Sequence, residues 1–341
     1  MNDKGVAVIP KFSVIIPAYN AEKFIHIAIR SVQEQTIDDW ELIIVENGST
    51  DNTTVVCENF LDDKRIKLFH SEKGVSSARN KGISVAIGEW IVFLDADDQL
   101  LNDALQRYME IEKEYSPDLM LGEYEDKTVD YTYEKKIYQG SKLNNFLRIS
   151  LENPTQKCNT KAVAFRNSMI QQQSISFDNQ IRYAEDSVFF LEVLNCSKKV
   201  VTVFGPVYRV IYYSQSAVRS GKRKLDREYL PAINRIRTIL DISDPFIKNE
   251  WYIFILNQLL VILVNDIFAR KESVFMQIKD ARKLAEIPEY KDAIVNADIS
   301  KIQRMKKVVF RMMKMRFMPG ILLAVRIRQK QNKKKENNFY V

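Results

Sequence analysis

Short apolar runs recur through the first 125 residues, and amphipathic stretches separate them. Phe12–Ile16 is one such run, closed by Pro17; Trp40–Val45, Ile66–Phe69 and Trp90–Leu94 are three more, and each reads as a strand. The last is apolar at every position, as expected of a strand covered on both faces. Within Ala21–Gln35, Phe24, Ala28, Ile29 and Val32 fall at helical spacing. A second helix is predicted around Thr53–Phe60, and a third from a cap at Ser76 or Ser77 to about Ala86, ended by Gly88. Strands alternating with helices predict an α/β fold: a mostly parallel sheet with helices on both faces, joined by right-handed crossovers.

Residues 126–220 are mixed, with a helix expected at Val188–Asn195 and strands at Val200–Phe204 and Val207–Tyr213. From Asp226 onward the pattern is helical. Trp251–Val264 is 14 residues without a formal charge. A membrane span needs about 20, and Asn257, Gln258 and Asp266 interrupt this stretch, so a buried helix is expected. A length of 341 residues fits two domains at about 150 residues each. The expected division is 1–220, with halves 12–125 and 126–220, followed by a helical region 221–341.

With 46% apolar and 28% charged residues the composition is globular, and ten glycines exclude collagen-like or glycine-rich repeats. Three cysteines (Cys57, Cys158, Cys196) without a CxxC pair, and two histidines (His26, His70), argue against a disulfide framework or a zinc site. No apolar signal region is visible in Met1–Lys11, so a reducing, cytoplasmic setting is expected. The net charge of +7 is unevenly placed: residues 301–341 hold 13 Lys/Arg and one acid, leaving −5 on the rest. Such a block calls for an anionic partner.

In sheets of this kind ligands bind beyond the carboxyl ends of strands. Tyr19, Asn47 and Asp95 each follow a predicted strand and should gather at one edge. In Leu94-Asp-Ala-Asp-Asp98, residues i and i+2 of an extended segment point the same way, so Asp95 and Asp97 can aim two carboxylates at one point. Paired hard oxygen ligands suit Mn²⁺ or Mg²⁺, which also takes diphosphate oxygens. The plainer alternative is that Asp98 or Asn102 caps the next helix.

Five segments carry a wider resemblance: Phe12–Asn20, Val45-Glu-Asn-Gly-Ser-Thr-Asp51, Gly74–Gly82, Gly88–Asp98 and Tyr183-Ala-Glu-Asp-Ser-Val-Phe-Phe190. In this order and spacing, residues 12–215 closely resemble the family 2 glycosyltransferases of the Rossmann-like GT-A fold, of the kind that builds bacterial surface polysaccharides. The resemblance implies a nucleotide site at Pro17, Tyr19, Glu46, Asn47, Arg79 and Asp95, with Asp95 and Asp97 holding the metal. It implies Asp186 as the catalytic base of an inverting transfer, with Glu185 positioning the site or binding the acceptor. The family usually has two aspartates where Glu46 and Asn47 stand; Asn47 can still accept from a uracil N3–H through its carbonyl, which keeps UDP as the expected base carrier. Neither histidine matches the metal-binding histidine of some relatives.

The expected activity is transfer of a sugar from a nucleotide-diphosphate donor to a hydroxyl of a glycan or lipid-linked saccharide. Ile302–Arg328 interleaves Met and Phe with Lys and Arg, the pattern of an interfacial membrane helix, so a peripheral position at the inner face of the cell membrane is expected; the plainer alternative is a helical subdomain packed on the core with a solvated basic face. No stacking motif supports a nucleic-acid partner. The oligomeric state is not legible. The main rival reading is a catalytically degenerate subunit that binds nucleotide or glycan. A nucleotidyltransferase would carry a glycine-rich basic loop where Pro17-Ala-Tyr-Asn-Ala stands.

Overall fold

The computed structural model describes residues 9–125, 135–211, 225 and 227–337. In chain order the elements are β1 (Phe12–Ala18), α1 (Ile25–Gln33), β2 (Trp40–Glu46), α2 (Thr53–Glu58), β3 (Ile66–His70), α3 (Val75–Val85), β4 (Trp90–Phe93), β5 (Gln99–Leu100), α4 (Ala104–Tyr115), β6 (Leu119–Glu125) and β7 (Ile137–Gln139). Then come α5 (Ser141–Glu152), α6 (Pro154–Lys157), β8 (Val163–Arg166), α7 (Asn167–Gln172), α8 (Glu185–Cys196) and β9 (Lys199–Arg209). The remainder is helical: α9 (Leu230–Ile239), α10 (Pro245–Asn265), α11 (Val274–Ala285), α12 (Pro288–Asn296), α13 (Arg304–Lys314) and α14 (Met318–Asn337).

The chain divides into two compact units. The first comprises the described residues up to Phe146 with Asn159–Gln180 and those from Glu185 to Ile211; the second comprises Leu147–Cys158, Ile181–Ala184 and the described residues from Leu225 on. The expected boundary at 220 lies outside the described residues.

In the first unit one sheet runs β3-β2-β1-β4-β8-β6-β9-β5, with β7 on β9. Strands β1 to β4 pair in parallel, as the strand–helix alternation predicts. The sheet turns mixed at β8, which is antiparallel to both β4 and β6, while β6 and β9 are again parallel. Phe12, Val14 and Ile16 point to one face and pack with Trp40, Trp90 and Tyr108 in a core that excludes water. On the other face Phe93, Phe165, Phe177 and Phe189 form an aromatic cluster, with Phe177 and Phe189 stacked at 4.1 Å. This cluster seats α8 against β4 and β8 and so fixes where the first residues of α8 stand.

Several local expectations change. The predicted strands Val200–Phe204 and Val207–Tyr213 are one strand, β9, which bends at Gly205 (φ +78°) and ends at Arg209; residues 212 and 213 lie outside the described set. Helix α3 starts at Val75 behind Gly74, with no side-chain cap, so neither Ser76 nor Ser77 caps it. Gly88 does not stop that helix. It lies at the entry to β4, where a Cβ would stand 2.6 Å from the Ser13 backbone nitrogen, and its N–H donates to Ser13 Oγ at 2.8 Å. Ser13 Oγ in turn donates to buried Glu41 at 2.7 Å, which also accepts from the Ile87 N–H.

In the second unit α10 is the central helix, capped by Asp244, which accepts from Phe246 N–H. Pro245–Ala269 is long and apolar enough to cross a membrane, but 72% of its most apolar window is buried inside the protein, as expected of a core helix. Asn257, the polar break noted in the sequence, donates to the carbonyls of Leu151, Glu152 and Ile253. Helix α13 buries Phe310 and Met313, and its Lys314 ammonium caps the carboxyl end of α12 on the carbonyls of Ile294, Val295 and Ala297.

Candidate active site

The parallel half of the sheet places the ends of β1, β2 and β4 side by side, and the residues that follow them line one edge. Pro17 does not stop β1: it sits half-buried opposite Val45, and the pairing runs on to Ala18 opposite Glu46. Tyr19 is 41% exposed, its ring free to cover a ligand, with Lys73 Nζ 4.8 Å from its centroid. The loops after β1 and β2 are laced together. Asn20 N–H donates to Ser49 Oγ, Thr50 N–H to Asn20 Oδ1, Ala21 N–H to Thr53 Oγ1, Glu22 N–H to Asp51, and Asn52 N–H to Glu22. Asn20 takes φ +49° to do so, a conformation that Asn tolerates.

Glu46 and Asn47 divide two tasks. The Glu46 carboxylate accepts from Ser49 N–H and lies 3.2 Å from His70 Nδ1. Burial pushes its carboxyl up, but hydrogen bonds from Ser49, His70 and Gly48 bring it below the usual range. Glu46 therefore holds the turn that Gly48 (φ +87°) makes possible. Asn47 is 4% exposed, its N–H pairs with Ala18 O, and its Oδ1 is a buried acceptor without a donor among the described residues. An unfilled buried acceptor costs free energy unless a ligand supplies the N–H.

Asp95, Asp97 and Asp98 follow β4, with one carboxylate oxygen from each within 4.8 Å of the others. Asp98 caps no helix: β5 follows it, and α4 begins only at Ala104. Asp98 is 2% exposed and accepts from Tyr208 Oη–H (2.8 Å), Ile211 N–H (2.9 Å) and Lys161 (2.7 Å). Lys161 also reaches Asp95 Oδ2 at 2.9 Å. Burial alone would raise the Asp95 carboxyl, but Lys161 and Arg79 hold it low. Asp97 faces solvent, and partial desolvation together with Asp98 and Asp95 pushes its carboxyl up. Crowded carboxylates of this sort are a fitting donor set for a hard divalent cation, whose charge relieves their repulsion.

Arg79 joins this edge to the E-D segment. It is 7% exposed; Nη1 donates to Glu185 Oε1 at 3.1 Å and Nη2 stands 3.6 Å from Asp95 Oδ1. Its guanidinium covers Phe177 at 5.1 Å, and its buried Nε has no acceptor among the described residues. Glu185 and Asp186 do not precede a helix that starts near Val188; they are the first two residues of α8, reached through Ala184 at φ +60°. A non-glycine residue in that region is strained, and here it turns the chain so that two carboxylates open the helix. Asp186 accepts from Ser187 N–H at 2.7 Å. Burial and Glu185 push its carboxyl up, Arg79 draws it down, and it settles at about 7. Lys161 and Tyr208 had no signal in the sequence: they stand 63 and 110 residues from Asp98 and meet it only through strand packing.

Residues 13–176 match the family model Glycosyl transferase family 2. The chain is 24% identical to the EpsH protein of Bacillus subtilis (strain 168), over 94% of this chain and 96% of that one. It is 29% identical to the poly(ribitol-phosphate) beta-N-acetylglucosaminyltransferase TarP of Staphylococcus aureus (strain N315), over 70% and 75%. Among solved structures, residues 1–349 of S. aureus TarS in complex with UDP-GlcNAc superpose with a TM-score of 0.69 at 17% identity, covering 94% of this chain and 92% of that one.

Proposed function

We propose that this chain, whose residues 13–176 match the family 2 glycosyltransferases and whose fold is similar to that of TarS, is an inverting, metal-dependent glycosyltransferase of surface-polysaccharide synthesis using a UDP-linked donor. The observation that carries the reading is Arg79, which draws Asp95 on the nucleotide edge and Glu185 of the E-D segment to one guanidinium. Donor-side and acceptor-side carboxylates thereby face one space.

Tyr19 covers the base or ribose, and Asn47 Oδ1 accepts the base N3–H. Glu46 keeps the turn that presents Asn47. Pro17 and Asp95 complete the nucleotide edge. Asp95 and Asp97 would hold Mn²⁺ or Mg²⁺, which when bound neutralises charge on the departing diphosphate. The acceptor hydroxyl oxygen forms a bond to the anomeric carbon as the bond from that carbon to the diphosphate oxygen breaks. The hydroxyl proton passes to the Asp186 carboxylate, for which a pKa near 7 is well matched. Attack opposite the leaving group inverts the anomeric centre. Glu185, tied to Arg79, fixes the start of α8 and with it Asp186.

TarP and the TarS complex support N-acetylglucosamine as the first donor sugar to try. A lipid-linked or polymeric glycan at the inner face of the membrane is the proposed acceptor. Its support is a cavity of about 840 Å³ in the second unit, lined by Phe275, Ile278, Met318 and Pro319 and edged by Lys279, Arg282 and Lys283, with Arg316 paired to Glu286. Apolar lining with a cationic edge suits an anionic membrane surface.

The test is thermal unfolding of the purified protein with UDP, GDP, CDP or TDP, each with Mn²⁺ and with EDTA. Stabilisation by UDP that needs Mn²⁺ supports the reading. A shift with GDP alone replaces the donor base, and no shift with any nucleotide favours a degenerate glycan-binding subunit.

A further inference from the structure

Lys161 stands on the loop before β8 with its ammonium between two members of the carboxylate cluster, 2.9 Å from Asp95 Oδ2 and 2.7 Å from Asp98 Oδ2. Asp98 does not need it for hydrogen bonding, because Tyr208 Oη–H and Ile211 N–H already serve its two oxygens. What the lysine adds is charge. Together with Arg79, 3.6 Å from Asp95 Oδ1, it offsets the charge of the inner pair of carboxylates and leaves Asp97, in no ion pair among the described residues, as the outward member. The ammonium is also reachable, at 32% side-chain exposure, so it can leave Asp95 without unfolding the strand behind it.

We infer that Lys161 is a resident counter-ion of this cluster, competing with the divalent cation for Asp95 and so making metal binding depend on the nucleoside diphosphate. The inference rests on the nucleotide-sugar reading of the site. A metal ion entering beside an ammonium meets like charge, and in a partly desolvated site that repulsion is strong. A diphosphate brings the negative charge that offsets both cations at once. Metal and nucleotide then raise each other's affinity by the same factor, as linkage requires. Without the lysine the empty cluster is more negative and should take the metal without help.

The experiment is calorimetric titration of the full chain with Mn²⁺ alone, with UDP alone and with each in the presence of the other, for the wild type, Lys161→Gln and Lys161→Arg. Lys161→Gln is expected to bind Mn²⁺ alone about ten-fold or more tightly, to bind metal-free UDP more weakly, and to lose most of the mutual enhancement. Lys161→Arg, which keeps the charge, is expected to follow the wild type. A lysine that merely braces the loop before β8 predicts the opposite sign, since its loss would loosen the cluster and weaken Mn²⁺ binding. Unchanged or weaker Mn²⁺ binding by a folded Lys161→Gln therefore overturns the inference. Should that variant not fold, equal Mn²⁺ affinity of the wild type with and without saturating UDP overturns it instead. A protein that binds no UDP under any condition refutes the nucleotide reading, while the Mn²⁺ comparison across variants still decides the role of the lysine.

Discussion

Asp186, the proposed base, shows how far surroundings set the titration of one carboxyl group. Burial and Glu185 raise its pKa to about 7, and Arg79 keeps it from going further. A base must be deprotonated to act, so kcat/KM should rise with pH through the region near 7 and level above it; a pH–rate profile flat from 5 to 8 would contradict the role. Asp186→Asn is expected to leave nucleotide affinity nearly unchanged and to lower transfer about 10²-fold or more, read by calorimetry and product formation side by side. The stability effect has the other sign. With a folded pKa above the ordinary Asp value of 3.8, this group favours the folded state at low pH, and that contribution is lost as pH rises through about 7. Glu250, also raised to about 7 by burial and Glu152, acts in the same direction in the second unit. The asparagine variant should therefore unfold at a higher temperature than the wild type at pH 8, with the gap closing toward pH 4. Asp95, Asp97 and Asp186 could be proposed from the sequence because their residue types and motif spacing follow the family's pattern, and the structure places Asp95 and Asp97 in one carboxylate cluster. Arg79 was legible as a site residue but not as a link between the two acidic segments, because its partners are set by where α8 docks.

The first four strands could be read from apolar runs because β1, β2 and β4 are buried on both faces, while the edge strand β3 buries Ile66 and half-buries Leu68 and Phe69. The antiparallel insertion of β8 could not, since Val163–Arg166 has the same apolar character in either direction and only its neighbours decide. Gly88 was misread for a related reason: local punctuation suggests a helix stop, while the actual need is room for the backbone of β1. Gly88→Ala should accordingly cost about 1–3 kcal/mol, because the atoms a Cβ would meet include Ser13 N and the Phe12 carbonyl carbon besides Ser13 Oγ, and the two backbone atoms cannot swing aside. A urea unfolding midpoint equal to that of the wild type would show that the strand entry yields after all.

For the whole molecule, the basic C-terminal region is two things rather than one. Up to Met318 and Ile321 it is core, with Phe310 and Met313 buried and Lys306 donating to Glu152 O and Asn153 Oδ1. Its outward residues Arg304, Val308, Arg311 and Met315 share one face of α13 and its end, apolar and basic by turns. Deleting 301–341, which the sequence pattern alone would suggest as a tail test, removes part of the fold of the second unit and should destabilise it. Deleting only 328–341 should keep the melting temperature while weakening sedimentation with phosphatidylglycerol vesicles, and phosphatidylcholine vesicles should bind neither form. Equal sedimentation of the shortened and full chains would place the membrane contact on α11 and α13 instead.

The lacing of the loops after β1 and β2 has a consequence for the timescale on which this edge of the protein breathes. The amides of Asn20, Ala21, Glu22, Thr50 and Asn52 all donate to side chains across the two loops. Opening either loop must break the bonds of both, so these amides should exchange with deuterium late and together, as one cooperative unit, although they lie in irregular chain. A base settling there would find its mould already cast.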